Sequence, residues 1–542
     1  MSRFADTAAR KRTGATFTPQ WLAEALATRL VEHWQVPTLR RTRVLEPAVG
    51  DGVLVEALLR ACAAAGIPTP EIHAWDTDED ALNQARRRLL LLAPDIQLHH
   101  GDFLAADTAP FDLVIANPPW VRTQVLGRDR AQEVAARFGL GGRVDLSHAF
   151  VARTLEVLAP GGIAGLWLSN KLLSTRGAGA LRSVLLDRVS ILDIWDLGDT
   201  RQFDAAVLPA ALVFTANKVS RPARYVRCHR IASPAPCPRL DLLHPRPGPA
   251  RMPDDHGVHV EVGELSGAVG RGVWRLETPA SRQWLAQVAA HSKGCFGDLG
   301  PVKVGVKSTA DKVFVRNDWA TCTPAMPELL RPLTTHRSAH PIRARHPVPA
   351  WQILYPHETV DGARRPVDLD PHPASRAWLE AHEARLRGRT YVQEAGRAWY
   401  ALWVPHAPDG WAGPKLVCRD IAAHPCMWVD LEGTVVNGDC YWIPVADVDD
   451  PRMWAAVAIG CSHFALAWYD RRFGNRLYAG RRRFLTQYIQ HFPLPADPRA
   501  LSDLAHAARQ LYGKLADENA SVDDDLKALD RDVWRAFGVE PT

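Results

Sequence analysis

Four consecutive residues, Asn117-Pro118-Pro119-Trp120, place an amide, a proline carbonyl and an indole in one short turn. Two successive prolines fix φ near about −65° and carry no N–H, so the corner is stiff and its carbonyls are free to accept. The Asn117 amide oxygen and the Pro118 carbonyl can each accept one hydrogen of a planar NH2 group while Trp120 stacks on the attached ring. An exocyclic ring amine is a poor nucleophile. Hydrogen bonds that strengthen as its nitrogen becomes tetrahedral and positive favour the transition state over the ground state.

Three acidic residues precede this turn. Glu46 opens the segment Glu46-Pro47-Ala48-Val49-Gly50-Asp51-Gly52, whose glycines let a ligand approach the backbone closely. Asp76 ends the next apolar run, where a carboxylate can accept from both hydroxyls of a ribose. Asp102, followed by Phe103, ends a third, where an acid beside an aromatic ring suits a purine amine. Singly, each reads as a solvated loop carboxylate; together they point to a nucleoside. The chain has no G-x-x-x-x-G-K-[ST] run near them, so an adenosine bearing a cationic sulfonium fits better than a triphosphate.

These residues need a scaffold that brings strand ends together. From Arg43 to Asn217, short apolar runs alternate with helix-length segments, the rhythm of βαβ units on a largely parallel sheet. Seven strands are predicted: Arg43 to Pro47, Glu71 to Trp75, Ile96 to His100, Phe111 to Ala116, Gly162 to Leu168, Ile191 to Asp196 and Ala210 to Thr215. A helix is predicted from the spacing of Leu146, Phe150, Leu155 and Leu158, with Asp145 or Ser147 as its N-cap. Beyond Val219 the runs break up, and proline is frequent from Pro234 to Pro253.

A chain of 542 residues exceeds the size of a single core, so two or three domains are expected. Its 47% hydrophobic and 23% charged residues exclude a mainly disordered or fibrous chain. Neither a signal peptide nor a run of about 20 apolar residues is present, and nine scattered cysteines suit a reducing cytoplasm. The net charge of +5 permits a polyanionic partner without requiring one. Cys228, His229 and Cys237 lack a matching second pair, so no metal is assigned.

The ordered set of motifs resembles the TaqI-like, gamma-group DNA adenine-N6 methyltransferases dependent on S-adenosylmethionine, over most of the chain. Thr13 to Pro19 is similar to the family's cofactor-lid motif, which assigns Thr16, Thr18 and Pro19 to the cofactor. Glu46, Ala48 and Gly50 match its first motif, Asp76 its second, Asp102 and Phe103 its third, and Asn117 to Trp120 its catalytic fourth. Asp145 to Phe150 resembles the fifth, which puts Phe150 beside the cofactor adenine; Phe203 falls where an aromatic meets the flipped base together with Trp120. Trp120 and Asp76 stand where many members carry Tyr and Glu. The resemblance implies an α/β, Rossmann-like, seven-stranded class I methyltransferase domain over 1–220. A proline-rich linker over 221–255, an α+β target-recognition domain over 256–497 and a helical segment over 498–542 follow.

To reach a base inside duplex DNA such an enzyme must extrude it, so the second half is expected to hold and read the double helix. Lys303, Lys307, Lys312, Lys415, Arg419, Arg481, Arg482 and Arg483 lie in segments that resemble the family's specificity domain and are assigned to DNA. Trp411, Trp428 and Trp442 are read as core rather than as base-stacking wedges. The implied setting is restriction-modification or phage defence, with any cleavage performed by a separate chain, because the lid motif leaves no room for a nuclease domain before it. Rival readings are methylation of a protein glutamine, methylation of RNA adenine, and a DNA-binding subunit without activity.

Overall fold

A computed structural model describes residues 17–35, 40–120, 128–140, 145–203, 208–230, 242–243, 258–266, 272–474, 477, 480–517 and 519–541. The chain forms two compact units, Met1–Pro279 with Leu477–Gly480, and Ala280–Arg476 with Arg481–Thr542.

The first unit is built on a sheet whose seven predicted strands are all present: β1 (Arg43–Glu46), β2 (Glu71–Asp76), β3 (Gln97–His100), β4 (Phe111–Ala116), β5 (Leu158–Ser169), β6 (Ser190–Asp196) and β7 (Pro209–Thr215). They run in the order β3-β2-β1-β4-β5-β7-β6. Each neighbouring pair from β3 to β5 is parallel, and β7 alone is antiparallel to both of its neighbours. Strands buried on both faces read as continuous apolar runs, and β4 and β7 are buried at every position.

Helices α1 (Gln20–His33), α2 (Val53–Ala64), α3 (Glu79–Leu89), α4 (Leu146–Val157) and α5 (Gly179–Arg188) accompany the sheet. One cluster joins α1 and α2 through Leu22, Leu26, Val55 and Leu58 to Ile115 and Trp167; a second packs Phe150 and Val151 of α4 and Leu181 of α5 against Val114 and Leu166. Of the two candidate caps for α4, Asp145 is the one used, accepting from the Ser147 backbone N–H at 3.2 Å.

The sheet does not stop at β7. Three more strands, β8 (Arg224–Arg230), β9 (Val258–Leu265) and β10 (Leu276–Glu277), extend it to ten beside β6. The expected linker over 221–255 therefore contains a sheet strand: β8 pairs in parallel with β6, Ile194 opposite Tyr225. Its mixed sequence Arg-Tyr-Val-Arg-Cys-His-Arg conceals this, because only Tyr225, Val226 and Cys228 are buried. The stretches 231–241 and 244–257 lie outside the described residues.

The second unit mixes short strands and helices. Lys415–Arg419 lies between Met427–Asp430 and Cys440–Pro444 in a five-stranded sheet that also contains Lys303–Val304 and Ile342–Arg343. Trp411, Trp428 and Trp442 are buried in its core, the rings of Trp411 and Trp442 having centroids 4.8 Å apart. Helices Pro498–Lys514 and Asp523–Ala536 belong to the same unit, the first capped by Asp497 with proline in its first turn.

Candidate active site at the strand ends

Parallel α/β sheets bind ligands outside the carboxyl ends of their strands, where the strand order reverses. Here that reversal falls between β1 and β4, which pair in parallel through Leu45 and Val114. Glu46 is the last residue of β1 and Asn117 follows the last residue of β4. Asp76 ends β2, and Asp102 follows β3. The fold thus carries all four residues to one rim.

Glu46 is fully buried, and neither of its carboxylate oxygens has a hydrogen-bond partner among the described residues. Burial pushes its carboxyl well above the usual carboxylate range. The backbone of Ala48 and Asn117 opposes that rise, close enough to favour the charged form without completing a hydrogen bond, and Asp76 adds to it. An acid left without a donor inside a protein is costly unless something cationic answers it.

The glycine loop beside Glu46 is pinned by Asp76, whose Oδ2 accepts from the Gly50 N–H at 2.9 Å while Oδ1 accepts from the Asp78 N–H at 2.9 Å. Gly52, at the start of α2, has φ of +84°, and a Cβ there would also press on Ala85 and Leu89 at 3.2 Å. Ala48 and Gly50 are half-buried at the same loop. Asp102 accepts from the Leu104 N–H at 2.9 Å and caps the short turn that buries Phe103. The Phe103 and Phe150 rings lie 6.0 Å apart between centroids, so these two assigned cofactor residues do meet.

At the Asn117 turn, the side-chain NH2 donates to Thr18 Oγ1 at 2.9 Å. Thr18 is buried and Pro19 is the N-cap of α1, so the described part of the segment Thr13 to Pro19 reaches the Asn117 turn. Thr16 lies outside the described residues. With its nitrogen on Thr18, the Asn117 amide is oriented with the oxygen as its remaining acceptor face. Thr18, assigned from the sequence to the cofactor, also makes this contact, which spans 99 residues and leaves no local signal.

Pro118 is buried, Pro119 half-buried, and Trp120 is buried with its indole N–H donating to the Trp167 carbonyl at 3.4 Å. Trp120 and Phe203 are in contact, centroids 5.3 Å apart and planes inclined at 55°; Trp167 meets Phe203 at 5.4 Å. The two rings assigned to the target base therefore come together at this rim.

The residues assigned to DNA fare unevenly. Lys307, Lys312 and Arg481 are exposed; Lys303 is half-buried with its ammonium 5.0 Å from the Trp442 ring. Arg482 is ion-paired with Asp470 at 2.6 Å and Arg483 with Asp420 at 3.0 Å, and Arg419 is half-buried. Lys415, assigned to DNA from the sequence, does not face outward. It is fully buried, its ammonium 3.3 Å from Asp430 and donating to the Trp411 carbonyl at 2.6 Å, so it cannot reach a phosphate. A lysine in a strand of buried neighbours has the same letter as a surface one, and only the fold supplies its acid.

This strand order and rim define a class I methyltransferase fold. Residues 72–203 match the family described as Eco57I restriction-modification methylase. The Type II methyltransferase M.BanIII of Aneurinibacillus aneurinilyticus is 33% identical to this chain, covering 98% of each. M.PaeR7I of Pseudomonas aeruginosa, also a Type II methyltransferase, is 24% identical over 97% of this chain and 92% of its own. Among solved structures, a cryo-EM DrdV–DNA complex shares the fold at a TM-score of 0.52 with 12% identity, over 94% of this chain and 58% of that one. This chain belongs to the Type II DNA methyltransferases of restriction-modification systems, and its cofactor is S-adenosylmethionine. The residues present fit that cofactor: the acid of Glu46, without a hydrogen-bond partner among the described residues, suits its cationic end, beside a loop in which Gly50 leaves its approach open. Among the described residues no helix is long and apolar enough to cross a membrane.

Proposed function

We propose that this chain methylates the exocyclic N6 of an adenine extruded from duplex DNA. S-adenosylmethionine supplies a methyl group made electrophilic by its sulfonium. Glu46 accepts from the cofactor's ammonium, Asp76 from its ribose hydroxyls and Asp102 from its adenine amine, with Phe103 and Phe150 beside the adenine ring. Asn117 Oδ1 and the Pro118 carbonyl each accept one hydrogen of the target amine, and both bonds strengthen as positive charge develops on that nitrogen. Pro119 keeps the corner stiff. Trp120 stacks on the target ring, and Phe203 closes over it.

The observation that carries this reading is the anchored amide of Asn117, fixed by Thr18 one strand away from the buried acid of Glu46. Face-to-face stacking on both sides of a base needs about 7 Å between flanking rings, two layers of roughly 3.5 Å. Trp120 and Phe203 stand at 5.3 Å, so the Phe203 ring shifts when the base inserts. Methylation of a protein glutamine would not call for the second unit, and the match to M.BanIII runs through that unit as well.

The test is transfer of a radiolabelled methyl group to duplex DNA, structured RNA and a glutamine-bearing protein offered together, followed by digestion of the nucleic acid to nucleosides. Label in N6-methyldeoxyadenosine is expected. Label confined to cytosine, RNA or the glutamine side chain would contradict the reading.

A further inference from the structure

The second unit contains a two-stranded ribbon that stands apart from its other sheets. His357–Val360 pairs antiparallel with Ala363–Pro366, and neither strand joins any other sheet. The pairs are His357 with Pro366, Glu358 with Arg365, Thr359 with Arg364, and Val360 with Ala363. A two-residue loop closes it. Asp361 and Gly362 have φ of +51° and +72°, the left-handed pair whose twist matches that of a tight hairpin.

The root of this ribbon is held firmly and its tip is open. His357 is buried and its Nε2 accepts from the Leu402 N–H at 3.0 Å; the Tyr355 ring packs edge-on at 5.9 Å. Val367, just beyond the second strand, is buried, and its carbonyl accepts from the Tyr400 hydroxyl at 2.8 Å. Between these anchors, Glu358 and every residue from Asp361 to Pro366 are exposed. Four pairs at roughly 3.3 Å per residue make a finger about 13 Å long.

Its chemistry is specific. Arg365 and Glu358 face each other across the strands on one side, and no ion pair within 4 Å joins them among the described residues. Arg364 adds a second exposed guanidinium on the other side, and neither arginine is engaged in a side-chain hydrogen bond among the described residues. Positive charge also surrounds the root: Arg331 lies over the Tyr355 ring at 5.2 Å, and Arg364 and Arg397 both act on His357. An isolated antiparallel ribbon of this width enters the DNA major groove, which is about 12 Å wide. There an arginine reads guanine through O6 and N7, and a glutamate accepts from the cytosine amine.

Resting on the reading of the chain as a DNA methyltransferase, we infer that the ribbon 357–366 inserts into the major groove of the target duplex and reads a G·C pair through Arg365 and Glu358. Arg364 contacts the backbone phosphate on the ribbon's other side. The cross-strand juxtaposition fits one base pair, because its two side chains leave the ribbon at the same level and carry the donor fork and the acceptor that guanine and cytosine require.

The test compares full-length wild-type protein with the variants Glu358→Ala/Arg365→Ala and Arg364→Ala, all verified by thermal melting and S-adenosylmethionine binding. Each methylates a library of duplexes, and modified-base sequencing reads the sites used. The double variant is expected to relax one G·C position of the wild-type site by about 10-fold or more, with the other positions kept. Arg364→Ala is expected to keep the full site while the salt slope of DNA binding, log K against log salt, becomes shallower by about 0.9. An unchanged site and unchanged KM in the double variant would overturn the role of the ribbon while leaving the methyltransferase reading intact. A wild-type protein that methylates no duplex would overturn both.

Discussion

Glu46 shows how one side chain ties the fold to the chemistry. A carboxyl whose ordinary range lies near about 4 is pushed well upward by complete burial. Raised in the free protein, it must give up its proton to meet a cationic ligand. S-adenosylmethionine affinity is therefore expected to strengthen as pH rises toward the folded-state value, with proton release on binding. In Glu46→Gln the affinity is expected to be weaker and flat with pH. Calorimetry in buffers of different ionisation enthalpy measures both, and identical pH profiles in the two proteins would remove Glu46 from the cofactor's cationic end. At this scale the sequence was legible where residues act through their immediate neighbours: the acids at strand ends and the diproline turn. It was silent where the partner is remote, as for Thr18 on Asn117 and Asp430 on Lys415.

Among the elements, all seven predicted strands formed; β4 and β7 are apolar runs buried at every position, whereas β3 at the sheet's edge buries none of its residues and is held by its parallel pairing with β2. Strands β8 and β9 present no apolar run to read, because β8 buries only Tyr225, Val226 and Cys228 and β9 only Val258. The elements on either side of β6 are joined by a charge cluster at Asp193, fully buried, which accepts from Arg29 of α1 at 2.9 Å and also meets His33 of α1 and Arg224 of β8. Burial would raise the Asp193 carboxyl, but the hydrogen bonds from His33 and Arg29 outweigh it and hold the group below its ordinary value. A depressed folded value contributes stability above the unfolded pKa, about 3.9, that is lost as pH falls through the folded one. Asp193→Ala is expected to cost about 3 kcal/mol near neutrality by removing the acid that Arg29, His33 and Arg224 share, Arg29 keeping only its Glu32 partner. The difference in melting temperature from wild type should narrow below about pH 4. A constant difference from pH 7 to pH 3 would show that the carboxylate charge is not what joins α1 to β6.

For the whole molecule, the charges of the second unit divide into those that build it and those that face outward. Lys415 is of the first kind. Burial lowers its ammonium pKa and Asp430 opposes the shift. Lys415→Met leaves Asp430 buried without its cation, and a loss of about 3–5 kcal/mol in stability is expected, with the salt slope of DNA binding unchanged. Lys307 is exposed, and Lys307→Ala is expected to leave the melting temperature alone and make that slope shallower by about 0.9. Chemical denaturation and binding titrations from low to high salt decide between them. A shallower slope in Lys415→Met with unchanged stability would reverse the assignment.

In the proposed reaction the Asn117-Pro118 corner holds the target amine for methyl transfer. Single-turnover methylation of duplex DNA by Asn117→Ala, alongside calorimetric titration of S-adenosylmethionine, tests it directly. Cofactor affinity within about twofold of wild type and a transfer rate lower by about 100-fold or more are predicted. Transfer at the wild-type rate, with the cofactor bound as before, would contradict it.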